Sequence, residues 1–165
     1  MSSGHCCRCG AALSAAPPVR CGACGYEHYV NARPTGSLIV VDGVGNFLAL
    51  RRARPPRAGL WETPGGFADG WEEPVAAAVR EGREELGVQV ELGRFVGMYL
   101  GGYEFQGELL PVLDCFWLAR LPEGAELELD PAESAGYTWF PLADPPPMAF
   151  PTMDRALRDA VALAG

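Results

Sequence analysis

The stretch that decides the fold is residues 66–88, which read GFADGWEEPVAAAVREGREELGV. Glycines in its first part allow the backbone to turn tightly beside a ligand, and the remainder predicts a helix from about Glu73 to Leu86. Within that helix Glu81 and Glu85 form an i, i+4 like-charge pair, and Gly82 occupies a helix interior. The charge pair costs a few tenths of a kcal/mol and the glycine about 1 kcal/mol. We therefore expect a bound group that offsets these costs.

The predicted helix separates two sets of side chains when successive residues are placed 100° apart. One set is apolar and predicts a buried stripe, with Gly82 in it to let a neighbouring element approach closely. The other set is acidic, and its oxygens suit Mg²⁺ or Mn²⁺, which in turn bind phosphate. A solvated acidic surface is the alternative interpretation. The buried set is Val75, Val79, Gly82 and Leu86; the acidic set is Glu81, Glu84 and Glu85; and the glycines of the preceding loop are Gly65, Gly66 and Gly70.

Residues 66–88 resemble the Nudix box. That pattern has a glycine, five residues, a glutamate, seven residues and then Arg-Glu-U-x-Glu-Glu-x-Gly-U, where U is usually aliphatic. One aliphatic position differs, because this chain has Gly82 there. The resemblance implies an α/β fold, an α/β/α sandwich with a mixed sheet, over roughly residues 34–165. The fixed positions match at Gly66, Glu72, Arg80, Glu81, Glu84, Glu85 and Gly87.

The resemblance also implies an activity: hydrolysis of a nucleoside diphosphate linked to a moiety X, dependent on Mg²⁺ or Mn²⁺, giving a nucleoside monophosphate and phosphorylated X. It implies that Arg80 orients the carboxylates and that Glu72 and the Gly66 carbonyl complete the metal shell. The metal ligands it implies are Glu81, Glu84 and Glu85. The general base is either one of the helix glutamates or a residue of the later loop at 130–140, DPAESAGYTWF. Relatives often carry two glutamates three residues apart there; this chain has Glu133 at the first position but Gly136 at the second.

The rest of the chain predicts further strands and one more helix. Apolar runs predict strands at residues 36–42, 46–50, 88–102, 109–120 and 136–140, and residues 63–70, TPGGFADG, a loop. A proline-rich connection at residues 141–147 precedes a helix. Strands and helices in this order indicate a mixed sheet with helices packed on it. The final helix is predicted to bury Met153, Ala156, Leu157, Ala160, Val161 and Ala164.

Two C-x2-C-G motifs near the N-terminus have the spacing of a metal site. Four thiolates can surround one tetrahedral Zn²⁺, and the glycine after each pair lets the backbone turn over the sulfurs. A redox dithiol is the alternative. We predict a zinc ribbon over residues 1–30, with Cys7 outside the site and His5 and His28 as surface residues. The predicted ligands are Cys6, Cys9, Cys21 and Cys24.

With residues 26–36, YEHYVNARPTG, and residues 59–67, GLWETPGGF, the cysteines extend the resemblance to the Nudix subgroup with an N-terminal zinc ribbon. That subgroup includes NADH, ADP-ribose and FAD pyrophosphatases. NADH pyrophosphatases typically carry Ser-Gln-Pro-Trp after the box, which this chain lacks. The resemblance therefore favours ADP-ribose or FAD, with AMP as a product. Two alternatives stay open: a catalytically silent Nudix scaffold whose zinc ribbon binds a partner, and action on capped RNA.

The composition sets limits on partners and location. The 165 residues are 48% hydrophobic with a formal net charge of −8, so the basic footprint of a nonspecific nucleic-acid binder is missing. No apolar stretch is long enough to cross a bilayer, and we expect a soluble cytoplasmic protein. Family members are commonly dimers, so we expect a homodimer acting on a nucleotide-sugar or dinucleotide. Candidate phosphate contacts are Arg33, Arg51, Arg52, Arg54 and Arg57, and aromatic residues that either stack on a base or enter the core are Tyr29, Trp61, Trp71, Tyr99 and Phe105.

Overall fold

The computed structural model describes residues 4–164. The elements, in chain order, are β1 (Val19–Arg20), β2 (Glu27–His28), β3 (Arg33–Val40), β4 (Asn46–Arg52), β5 (Trp61–Glu62), β6 (Gly65–Phe67), α1 (Pro74–Leu86), β7 (Glu91–Phe105), β8 (Glu108–Arg120), β9 (Ser134–Pro141) and α2 (Pro151–Val161). Within residues 4–164, neither helix has the length and apolar character needed to span a membrane.

The strands form one mixed sheet and two antiparallel ones. The mixed sheet has the order β6–β3–β8–β7, in which β3 and β8 are parallel and the other pairs antiparallel. A three-stranded sheet has the order β5–β4–β9, and β1 pairs with β2 in a small sheet of its own near the N-terminus. This architecture confirms the predicted α/β fold with a mixed sheet and helices packed on it.

Strand β3 is buried on both faces, which explains its continuous apolar run. Leu38 and Val40 belong to a core cluster with helix α1, and Ile39 and Val41 belong to a second cluster with helix α2. The helices thus cover opposite sides of the strand layer. The contributions of α1 are Ala78 and Leu86, and those of α2 are Met153, Ala156, Leu157 and Ala160.

Helix α1 packs unusually close to β3. A Cβ atom at Gly36 would lie 2.0 Å from the Pro74 carbonyl oxygen and 2.4 Å from the Ala78 nitrogen, so backbone rests on backbone there. A Cβ atom at Gly82 would lie 2.5 Å from Leu38 Cδ1, which confirms the close approach predicted for this glycine. The helix ends at Gly87, whose φ of 71° is readily adopted by glycine.

Three predictions about local structure were wrong. Residues 65–67 form strand β6, because Gly65 and Gly66 pair with β3. The buried face of α1 includes Ala77, Ala78 and Glu85, while Val75 and Val79 are only half-buried, because the small residues let that side approach the sheet. Helix α2 ends at Val161, which is exposed, so Ala164 lies beyond the helix although it still packs against the core.

Candidate active site and cysteine cluster

A cavity of about 380 Å³ lies where α1, β3, β6 and the start of α2 meet. Carboxylates and guanidinium groups line much of its wall. Strand β6 and helix α1, formed mostly by the box stretch (residues 66–88), line it together with residues of β3, β4, β5, β7, β8 and α2. The charged side chains lining the cavity are Arg52, Arg54, Glu62, Asp69, Arg80, Glu81, Glu84, Glu85, Asp114 and Glu133.

Arg80 holds three glutamates in place. Its Nε and Nη2 donate to the two oxygens of Glu72 at 3.0 and 2.9 Å, a bidentate contact that lowers the pKa of Glu72. Its Nη1 donates to Glu81 at 2.8 Å and to Glu84 at 3.0 Å, and Nη2 also donates to the Phe67 carbonyl at 3.0 Å. Glu72 does not line the cavity; it anchors Arg80 and accepts a hydrogen bond from the Asp69 backbone N–H at 3.0 Å. The arginine therefore fixes the acidic helix to the loop before it.

Three carboxyl groups around the cavity have raised pKa values. Glu85 is buried, and burial together with the nearby charge of Glu62 raises its pKa well above 4.5, although the Gly65 N–H donates to its Oε2 at 2.8 Å. Burial raises the pKa of Glu81, against the opposing effect of Arg80. Burial also raises the pKa of Glu62, against its ion pair with Arg52. Negative charge is therefore crowded and incompletely compensated here.

This donor set fits a hard divalent cation. All its side-chain donors are carboxylate oxygens, and Mg²⁺ typically keeps several waters and needs only one or two carboxylates. A Cβ atom at Gly66 would lie 2.4 Å from Glu81 Oε1, so only glycine leaves room for that carboxylate. Among residues 4–164 only the cysteine cluster brings three or more ligand atoms within 4.8 Å of one another. Glu81 and Glu84 accept hydrogen bonds from Arg80, whereas Glu85 accepts one from the Gly65 N–H.

Glu133, predicted from the later loop, does reach the cavity, where it forms an ion pair with Arg54. Glu62 and Asp114 were not anticipated. The sequence does contain one indication for Glu62, because it is a charged residue that lies just before the glycine loop. The aromatic candidates do not line the cavity: Trp61 and Tyr99 pack against the core, and Trp71, Tyr29 and Phe105 are exposed. The aromatic residues that do line it are Phe67, Tyr103 and Phe150.

The four predicted cysteines form a cluster whose sulfurs all lie within 4.8 Å of one another. Cys6 and Cys24 are 3.7 Å apart, as are Cys9 and Cys21. Zn–S bonds of about 2.3 Å in a tetrahedron place sulfurs about 3.8 Å apart, so the geometry fits a small zinc site. Gly10 and Gly25 follow the two pairs with φ values of 75° and 74°.

Next to the cluster, His28 is buried, which corrects its prediction as a surface residue. Its Nε2 lies 3.2 Å from Cys6 Sγ and its ring packs edge-on against Tyr26. This contact with Cys6 and the packing on Tyr26 account for the burial of the imidazole. Cys7 is exposed and outside the four-sulfur group, as predicted.

The raised pKa values predict that the metal-free protein is less stable at higher pH than its Glu85→Gln variant. A carboxyl with a raised folded-state pKa stabilises the fold fully below its unfolded-state pKa, and this contribution is lost as pH rises through the folded-state value. Glu85 follows this pattern, with a pKa well above 4.5. Melting curves of both proteins in chelator, from about pH 4 to pH 8, should show the variant's advantage growing with pH. An advantage independent of pH would contradict the prediction.

Comparisons with known proteins agree with this architecture. Residues 32–160 match the family described as the NUDIX domain. The chain is 28% identical over 144 residues to the NAD-capped RNA hydrolase NudC of Stutzerimonas stutzeri (strain A1501), covering 86% of the chain but 49% of that relative. It thus spans about half that relative's length. An RNA pyrophosphohydrolase of Mesorhizobium japonicum is 28% identical over 152 residues, covering 79% of the chain and 88% of the relative. A NUDIX hydrolase structure from Nitrosomonas europaea superposes with a TM-score of 0.72 at 23% identity, covering 98% of the chain and 91% of that structure.

Proposed function

Because the chain belongs to the Nudix family, we propose that it is a Mg²⁺- or Mn²⁺-dependent pyrophosphatase of nucleoside diphosphates linked to a moiety X. ADP-ribose and FAD are the favoured substrates, and AMP and phosphorylated X the products. The observation that carries the proposal is the cavity lined by Glu81, Glu84 and Glu85, in which Arg80 donates to Glu81 and Glu84. A silent scaffold would have no need for buried like charges at this position, because they weaken the metal-free fold.

In the proposed site the divalent ions are held by Glu81, Glu84 and Glu85, with the Gly66 carbonyl beside them. When bound, such ions polarise phosphoryl oxygens and neutralise the charge of the leaving phosphate. Arg80 orients the carboxylates, and Glu72 acts on the metal shell by holding Arg80.

The remaining groups come from the loop before β9 and from the end of β4 with the residues that follow it. Glu133 is the candidate proton acceptor for the attacking water, and its ion pair with Arg54 keeps it at the cavity. Arg52 and Arg54 line the cavity and are the candidate phosphate contacts. The other candidate arginines, Arg33, Arg51 and Arg57, do not line the cavity. We therefore assign phosphate binding to Arg52 and Arg54.

A second candidate is hydrolysis of NAD(H) or of NAD-capped RNA. The similarity to the NudC hydrolase favours it. The net charge of −8 and the missing Ser-Gln-Pro-Trp segment weigh against it. For these reasons we rank it second.

A substrate panel tests the proposal. The chain would be incubated with Mg²⁺ and, separately, ADP-ribose, FAD, NADH, a dinucleoside polyphosphate, a nucleoside triphosphate and NAD-capped RNA, and the products separated by chromatography. We expect AMP from ADP-ribose or FAD at the highest rate, and no pyrophosphate from the triphosphate. Fastest turnover of the capped RNA would replace the first candidate with the second. No hydrolysis of any substrate would contradict both.

Further parts of the proposal concern the whole chain. We propose Zn²⁺ in the cysteine cluster, a ribbon over residues 1–30 and a hydrolase domain over residues 34–165, of which residues 1–3 and 165 lie outside the described residues. We also propose a cytoplasmic homodimer. The sulfur geometry supports the zinc, and the commonness of dimers in the family supports the dimer.

A further inference from the structure

Asp114 is a cavity carboxylate that lies on β8, outside the box stretch and its loops. Thr35, which is buried on the neighbouring strand β3, donates its hydroxyl to Asp114 Oδ1 at 2.7 Å. Among residues 4–164, the Asp114 carboxylate forms no other hydrogen bond and no ion pair. One carboxylate oxygen is thus fixed by the protein, and Oδ2 is left to accept from a ligand.

Strand β7 lies next to Oδ2. A Cβ atom at Gly101 would lie 3.6 Å from Asp114 Oδ2 but only 2.6 Å from Thr152 Cγ2, so Thr152 packs over this glycine. Gly102, the next residue of β7, and Asp114 both line the cavity. Asp114 therefore offers its second carboxylate oxygen from the cavity wall.

Three aromatic residues line the same cavity as Asp114. The Tyr103 ring centroid lies 5.6 Å from that of Phe150 and 5.3 Å from that of Phe67, and all three residues line the cavity. Rings at these positions suit a flat apolar ligand group. A phosphate would be repelled by Asp114, so this part of the cavity suits a neutral group that carries an N–H or O–H donor.

We propose that Asp114 accepts a hydrogen bond from the exocyclic amine of an adenine base, which lies against the aromatic residues of the cavity. A nucleobase fits better than a ribose because its ring is flat. Adenine fits better than guanine, since one free carboxylate oxygen serves a single amine and guanine presents two adjacent N–H donors. This inference rests on the proposed function, which places a nucleotide in the same cavity.

Calorimetric titration tests it without turnover. AMP would be compared with purine riboside 5′-monophosphate, which has hydrogen in place of the amine, both in the presence of Mg²⁺. The wild-type protein should bind AMP about tenfold more tightly, as expected for a hydrogen bond to a charged group. In Asp114→Asn the carbonyl oxygen can keep the Thr35 contact while the amide N–H₂ faces the base, so the preference should disappear. Asp114→Ala should also remove it.

Asp144→Asn is the matched control, because Asp144 is exposed in a turn away from the cavity. It should keep the wild-type ratio. Equal binding of the two nucleotides by the wild-type protein would overturn the proposal, and so would an unchanged ratio in a folded Asp114→Asn or Asp114→Ala protein. The latter would indicate that Asp114 contacts the ribose or supports only the fold. A protein that prefers AMP yet hydrolyses nothing in the substrate panel would separate failure of the proposed function from failure of this inference.

Discussion

Replacing Glu85 with glutamine is expected to lower metal-dependent turnover by on the order of a thousandfold, because loss of a metal ligand removes several kcal/mol of transition-state stabilisation. The fold should remain intact. Glutamine has nearly the same shape, and its carbonyl oxygen can still accept the Gly65 N–H that now binds Glu85. Turnover of ADP-ribose, or of the best panel substrate, would be measured with Mg²⁺ on both proteins.

Glu123→Gln provides the control for this experiment, since Glu123 is exposed in the connection after β8 and does not line the cavity. It should retain wild-type turnover. The metal-free Glu85→Gln protein should melt at the same temperature as wild type or higher, because a buried charge and a like-charge neighbour have been removed. Near wild-type turnover in Glu85→Gln would remove Glu85 from the proposed site.

The purified protein is expected to carry about one tightly held Zn²⁺ per chain, and Cys21→Ser should lose it. Zinc binding supplies on the order of 10 kcal/mol to small structural sites, more than an N-terminal segment of this size gains from its own packing. We therefore expect protease cleavage within residues 4–30 of the variant, with at least part of the hydrolase activity retained. Elemental analysis and limited proteolysis would measure both effects.

Cys7→Ser separates loss of a ligand from loss of a thiol. Cys7 is exposed and adjacent to the cluster in sequence, but its sulfur is not one of the four. The Cys7→Ser protein should keep the zinc and the protease resistance of the wild-type protein. Freshly purified wild-type protein without zinc would refute the assignment of the cluster.

Much of the fold could be predicted because its sequence patterns are local. Residue spacing alone identifies the cysteine pairs and the helix carrying Glu81, Glu84 and Glu85, and the apolar run of β3 marks a strand covered on both faces. The rotation of α1 was harder to predict. Periodicity places Val75 and Val79 inward, whereas here Ala77 and Ala78 are buried with Gly82, because small residues allow the helix to approach β3 closely.

The parts of the site that escaped prediction depend on contacts distant in sequence. Glu62 and Glu85 are 23 positions apart, yet the charge of each contributes to the environment of a single cavity. Thr35 and Asp114 meet only because β3 and β8 are parallel neighbours with these residues in register. His28 is buried against Cys6 and Tyr26, and its contact with Cys6 spans 22 positions of the chain. A sequence pattern cannot reveal such pairings before the strand order is known.

The contact between Gly36 and helix α1 has a mechanical consequence. Since backbone meets backbone there, no compressible layer of side chains separates the sheet from the helix that carries the glutamates. Even one added methyl group would push the start of α1 outward, and the carboxylates would move with it as a rigid body. A displacement of about 1 Å can lower a catalytic rate by roughly a hundredfold. Gly36 lies outside the cavity. By allowing this close contact, it nevertheless sets the distance between the sheet and the helix that carries the acidic side chains.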